Sequence, residues 1–328
     1  MARLHVIDQP PRSAALWATA RGLAMLGVVL LLVGLVRWPE AALLILWNVL
    51  VPILPATFFL TTALWRGLCP LATLNEWGNA LGQAREVAPA TLRFFRVGGL
   101  LLFYILVPAR HVYFNVDGPA LAAVIVLVAL IALSIGGLFP VRSAWCNALC
   151  PVLPVELLYG QAPLVTVTRG RCPSCTVCTP SGCLDLAGDK TLAQLLGPSR
   201  RTFDWLLTPL GVFFAALPGF IVGYNTVGDG GIRTAPAIYG TVLASAAASF
   251  IAAAAIVILF RLNAKKALPV LAALAGGIYY WFAGPSIAQH FGVGAPVALT
   301  IRGLGIGIVV WWVVTLAPRR NRSSAGSI

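Results

Sequence analysis

Five stretches of this chain, 41–65, 118–141, 205–228, 234–260 and 267–289, contain no lysine, arginine, aspartate or glutamate. A helix rises about 1.5 Å per residue, so each is long enough to cross about 30 Å of hydrocarbon. Nothing else constrains the fold as strongly. A backbone in lipid must satisfy its polar groups internally, which a helix does within one segment. Three further apolar runs carry charge: 14–36 holds Arg21, 97–116 holds Arg110 with His111, and 296–317 holds Arg302. The sequence predicts an all-α integral membrane protein with about eight transmembrane helices.

The net charge of +13 could point to nucleic acid, but its distribution argues otherwise. With eight spans both termini lie on one side, and 19 of the 23 basic residues fall there. Only Arg37, Arg110, Arg233 and Arg302 fall on the other. That bias marks the basic side as cytoplasmic, giving an N-in/C-in topology. The expected location is the cytoplasmic (inner) membrane of a bacterium, with lipid rather than nucleic acid as the partner of the positive charge. The apolar run near the N-terminus lacks a small-residue cleavage site, so it reads as the first span.

All seven cysteines then lie at or beyond the cytoplasmic face, where thiols stay reduced. Cys172, Cys175, Cys178 and Cys183 sit within twelve residues. The first three keep the C-x2-C-x2-C rhythm of ferredoxins, in which a loop wraps a 4Fe–4S cluster. The gap before Cys183 is one residue longer than in the usual run, and Leu184 stands where that run has proline. This leaves Cys183 or Cys150 as the fourth ligand. A four-thiolate zinc site lacks its usual second knuckle, and a disulfide loop would need an oxidising compartment.

Two places earlier in the chain resemble each other. Arg66-Gly67-Leu68-Cys69-Pro70 leads into a stretch with Glu76, and Arg142-x3-Cys146-x3-Cys150-Pro151 leads into one with Glu156. Proline suits the first turn of a helix, and the spacing of Leu71, Leu74, Trp77, Ala80 and Leu81 predicts an amphipathic helix over 70–82 in the interface. The two hairpins 14–82 and 97–160 read as a weak internal repeat. A cysteine at a helix N-terminus is expected to have a lowered pKa. Cys69, Cys146 and Cys150 therefore form a candidate second metal or redox site, soft enough for copper(I). Their alternative reading is small buried packing residues.

The organisation follows: a cytoplasmic lead 1–13, a membrane half 14–160, a cysteine-rich cytoplasmic loop 161–204, a cysteine-free membrane half 205–317 and a disordered basic tail 318–328. Within the loop, Leu192, Leu195 and Leu196 predict a short helix lying back on the membrane. On the outer side Arg110, His111, Asp117, Asp229, Arg233, His290 and Arg302 collect. Ionisable groups at membrane depth usually serve a function. Arg110, His111, His290 and Arg302 suit a quinone, with histidine exchanging protons, or a haem b held by two histidines. The plain alternative is interfacial snorkelling.

The motif Trp145-Cys146-x3-Cys150-Pro151, the Arg66-Gly67-Leu68-Cys69-Pro70 segment and the downstream quartet resemble the membrane-bound ferredoxin-like proteins of the NapH/NosR type, over about residues 40–185. The resemblance implies an electron-transfer protein with cytoplasmic 4Fe–4S chemistry, coupled to the quinone pool or a redox partner protein within a larger membrane complex. This chain departs from it in having one quartet, and in the four helices after residue 204. The alternative is an accessory or assembly scaffold subunit with a structural metal loop. A quinol-linked oxidoreductase component remains within the range of activities implied.

Overall fold

The structure, a computed structural model, describes residues 7–8, 11–82, 85, 87–140, 142–165, 167–168, 192 and 195–324. Its helices are α1 (Pro11–Arg37), α2 (Pro39–Ile45), α3 (Val51–Leu60), α4 (Thr62–Leu68), α5 (Pro70–Leu81), α6 (Pro89–Ala109), α7 (Gly118–Leu138), α8 (Leu153–Tyr159), α9 (Pro209–Thr226), α10 (Ala235–Leu259), α11 (Ala264–His290) and α12 (Ala295–Ser324). Eight segments are long and apolar enough to cross a membrane, as the sequence predicts. They are Ala15–Arg37, Pro39–Leu60, Pro89–Phe114, Gly118–Leu138, Pro209–Thr226, Ile232–Leu259, Ala264–His290 and Ala295–Leu316. The protein is therefore an all-helical, multi-pass membrane protein.

Two boundaries differ from those read in the sequence. The second span ends at Leu60, because Thr61 is extended (φ −166°, ψ 118°) and α4 starts afresh. The third span begins at Pro89 rather than at 97. Proline at the first helical position after the extended Ala88 starts the helix early. It takes Arg93 and Arg96 into its first turns. The last helix also runs on through Ser324, where a disordered tail was expected from 318.

Prolines shape two of the spans. Pro52 and Pro55 lie just after a π-helical turn at Leu46–Leu50, and Pro108 lies just before another at Arg110–Phe114. Proline removes a backbone donor, and a widened turn re-registers the ladder around it. A third π-helical turn, Trp145–Leu149, carries Cys146.

The halves 14–160 and 205–317 share one core. Phe58, Phe59, Leu157 and Tyr159 pack in the same buried cluster as Phe213, Phe214, Ala272 and Trp312. Tyr280 Oη donates to the Pro52 carbonyl at 3.0 Å, and Trp312 Nε1 to that of Ala162 at 2.8 Å. Leu192 and Leu196 are buried in this cluster too. The α9–α10 and α11–α12 pairs and the crossing of α5 on α7 are the most extensive contacts.

That crossing adds a packed face to the amphipathic helix read over 70–82. Trp77 and Leu81 are exposed, while Ala72, Thr73, Asn75 and Gly78 are buried against α7. The apolar stripe faces outward and the small-residue stripe forms the contact. A Cβ on Gly78 would lie 2.0 Å from the Leu133 carbonyl oxygen, so the two backbones touch directly. Asn75 Nδ2 donates to Ala132 O at 2.9 Å, and Asn79 Nδ2 to Gly136 O at 3.2 Å.

Candidate functional site

The two Cys-Pro corners adopt the same backbone shape. Cys69 has φ −58° and ψ 119°, Cys150 has φ −58° and ψ 122°. Cys69 ends α4 and opens α5, whereas Cys150 ends the π-helical turn Trp145–Leu149 and is followed by a turn before α8. The corners are locked by ion pairs that cross between the repeats. Arg66 Nε donates to Glu156 Oε1 at 2.6 Å, and Arg142 Nη2 to Glu76 Oε1 at 2.6 Å. Arg21 Nη1 reaches the other Glu76 oxygen at 2.7 Å, and its Nε donates to the Gly67 carbonyl at 2.8 Å. Arg66 Nη1 also donates to Asn147 Oδ1 at 2.8 Å.

Arg142 holds a left-handed backbone (φ 61°), unusual for a side chain other than glycine. Its N–H donates to Asn75 Oδ1 at 2.8 Å, which fixes it there. Among the described residues, three guanidinium groups thus face two carboxylates in one layer. The Asn147 Nδ2 donor is buried beside Arg66 and has no partner among the described residues. Sequence reasoning placed Glu76 and Glu156 facing water or a metal. The signal for their true role was present as an arginine before and a glutamate after each Cys-Pro.

Cys69, Cys146 and Cys150 are free thiols, Cys69 buried and the other two half-buried. The lowered pKa expected at helix N-termini is overturned. Burial pushes the Cys69 thiol up, although the Ala72 and Leu71 N–H groups act to lower it. Burial likewise pushes Cys150 up to about 12 against lowering by Val152 and Leu153, and raises Cys146. The N-terminal donors are present, but desolvation outweighs them. Among the described residues no group of three or more His, Cys, Asp or Glu is arranged to hold a metal ion. Because thiolate is the reactive form, a maleimide at pH 7 is expected to leave all three thiols unlabelled in the folded protein and to label them after denaturation. Native-state labelling of Cys150, read by mass spectrometry, would show that its corner opens.

The quartet Cys172, Cys175, Cys178 and Cys183 lies outside the described residues. Its flanks are fixed to the bundle at the Cys-Pro end. Leu164 N and Val165 N donate to the Phe59 and Leu60 carbonyls at 3.0 and 2.7 Å. Val167–Thr168 pairs in parallel with Ile7–Asp8, a two-residue ladder that also ties down the lead before α1.

At the opposite end the structure brings Arg110 and His111 together with partners from the other half. His111 Nδ1 lies 2.6 Å from Asp229 Oδ1, and Gly230 N donates to the His111 carbonyl at 2.8 Å. Asn115 Nδ2 donates to the same Asp229 oxygen at 2.6 Å. Arg110 donates to Asn115 Oδ1 at 2.7 Å and to Tyr224 Oη at 2.9 Å, and stacks over Trp47 at 4.6 Å. The hydrogen bond from His111 holds the Asp229 carboxyl below its ordinary range. His111 Nε2 is buried with no partner among the described residues. His290 and Arg302 have separate partners. His290 Nδ1 lies 2.7 Å from the Ser286 carbonyl, and Arg302 stacks on Trp281 at 4.0 Å while donating to its carbonyl at 3.1 Å. Asp117 caps α7 by accepting from Ala120 N at 2.8 Å. The four residues read as one site thus fall into two sets with different partners.

Comparison with known proteins gives no match to a family, a curated protein or a solved structure.

Proposed function

We propose that this chain is a membrane-bound electron-transfer protein whose 4Fe–4S cluster is held by Cys172, Cys175, Cys178 and Cys183 at the Cys-Pro end of the bundle. The observation that carries the reading is the buried corner to which the quartet-bearing segment is anchored. Among the described residues it offers the guanidinium groups of Arg21, Arg66 and Arg142, an Asn147 amide donor without a partner and three further thiols. A thiolate-ligated cluster is anionic and accepts hydrogen bonds at sulfur, and both properties tune its potential. The cluster supplies one-electron exchange when bound. The chain's own residues anchor the loop, exclude water from the corner and balance charge.

In this reading the Cys-Pro end is cytoplasmic, both termini lie on that side, and the location is a bacterial inner membrane. The bias of basic residues supports that orientation. Quinone or a redox protein is the exchange partner. The unpartnered His111 Nε2 does not by itself assign a quinone to the opposite end.

Protein purified without oxygen is expected to be brown and to carry iron and acid-labile sulfide in equal amounts, about four of each per chain. Cys175→Ser should abolish both. Zinc without sulfide would overturn the electron-transfer reading and favour a scaffold subunit with a structural metal loop.

A further inference from the structure

We propose that a cavity at the Cys-Pro end of the second half binds a phosphate-bearing anion, and that in the membrane this anion is the headgroup of an acidic phospholipid. The cavity has a volume of about 590 Å³ and is lined by Gly197, Pro198, Arg200, Arg201, Asn263 and Lys265. It lies between the 3₁₀ turn Gly197–Arg201 and the first turn of α11. Gly197, left-handed at φ 59°, opens the turn, and nothing stands within 4 Å of where its Cβ would be.

Several arginines elsewhere in the protein are held by side-chain partners. Arg21, Arg66 and Arg142 are held by glutamates, Arg110 by Asn115 and Tyr224, and Arg302 by Trp281. Among the described residues, the side chains of Arg200 and Arg201 have no hydrogen-bond, ion-pair or ring partner. The nearest carboxylate in sequence, Asp204, accepts from Thr202 Oγ1 at 2.7 Å and bridges to neither arginine. Two guanidinium groups lining one cavity, with no carboxylate partner among the described residues, suit a phosphate, which arginine binds through paired N–H donors. The cavity also faces the positive end of α11, a helix of 27 residues. Asn263 caps that helix by accepting from Lys266 N at 3.1 Å, which fixes the first turn.

Placement favours a lipid over free phosphate. Trp205 is fully buried and its Nε1 donates to the Leu262 carbonyl at 3.1 Å, pinning the loop to the α10–α11 corner. Around that corner Phe203, Leu207, Leu259 and Phe260 are exposed, at 42%, 80%, 75% and 66%. Apolar side chains in such positions meet acyl chains, which places the cavity at the depth of the phosphates. Basic pockets beside membrane helices take acidic headgroups for this reason.

The test uses the full-length protein in mild detergent, with retained lipid read by native mass spectrometry. Phosphatidylglycerol and phosphatidylcholine are offered in equal amounts. The parent is expected to retain phosphatidylglycerol preferentially. Arg200→Gln/Arg201→Gln should lower that retention by about tenfold or more. Arg85→Gln/Arg93→Gln removes the same charge elsewhere and should leave retention unchanged. Equal losses in both doubles would overturn the proposal, since general attraction to acidic lipid would then explain the binding. Arg200→Lys/Arg201→Lys keeps the charge and should fall between, which guards against a misfolded glutamine variant. Thermal protection by millimolar inorganic phosphate, dependent on Arg200 and Arg201 but without lipid selectivity, would overturn the lipid assignment in favour of a free anion.

Discussion

Glu156→Ala is expected to destabilise the protein by about 3–5 kcal/mol, enough to abolish accumulation of folded protein in the membrane. The Arg66 and Glu156 side chains are only 6% and 4% exposed, and they meet at 2.6 Å. Breaking a buried ion pair by removing one member costs far more than the pair gains when intact. Arg66→Met should cost a similar amount. The double variant Arg66→Met/Glu156→Met should recover much of the loss, because two apolar side chains can fill the site without a bare charge. The measurement is the thermal midpoint of detergent-solubilised protein, followed by size-exclusion profile, for both singles and the double. A single-variant effect within 1 kcal/mol of the parent would show that water reaches the pair and screens it. The expected result also bears on architecture. Arg66 precedes the first Cys-Pro and Glu156 follows the second, so the pair ties one repeat to the other. Arg142 and Glu76 make the reciprocal tie. Loss of either should loosen both corners at once.

How much of this was legible in the sequence depends on the range of the interaction. The spans were readable because hydrocarbon imposes a length and excludes charge, and both are properties of a contiguous segment. The Cys-Pro corners were readable too, since proline acts on its own turn. The crossing of the ion pairs was not. Arg66 and Glu156 are 90 residues apart, and the repeat reveals which residue types recur but not whether each pairs within its own copy or with the other. The thiols show a different limit. Position at a helix start predicts a lowered pKa, and the structure supplies the backbone donors that prediction needs. Burial is set by packing from distant segments, and it reverses the sign. On the opposite side, His111 was singled out by its depth in an apolar run. Its partner Asp229 comes from the α9–α10 connection, so only the fold joins them. Arg302 met the same criterion and His290 was read beside it on the outer side, but their partners are on α11, at Trp281 and Ser286.

Gly136→Val is expected to disrupt the ion-pair layer without touching any charged residue. A Cβ at position 136 would lie 2.1 Å from the Asn75 carbonyl oxygen and 2.8 Å from its carbon. Both are backbone atoms of α5 and cannot swing aside as a side-chain tip would. The helix must move away from α7, and small residues at such crossings exist to let backbones approach. Overpacking of this kind costs about 1–3 kcal/mol, and more where backbone is displaced. The displacement carries a further consequence. Asn75 Oδ1 accepts the N–H of Arg142, and Glu76 receives the guanidinium groups of Arg21 and Arg142. Shifting α5 therefore pulls the carboxylate away from both arginines. Gly240, on α10, is the matching control, since nothing stands within 4 Å of where its Cβ would be. Gly240→Ala should leave stability unchanged or raise it by up to about 1 kcal/mol, the helix-propensity difference between the two residues. Opposite signs for the two substitutions, in thermal midpoints measured side by side, would separate close packing from helix propensity as the reason for glycine at the α5–α7 crossing. A Gly136→Val protein as stable as the parent would mean that α5 tolerates a wider separation and that the crossed ion pairs do not depend on the direct contact of the two backbones.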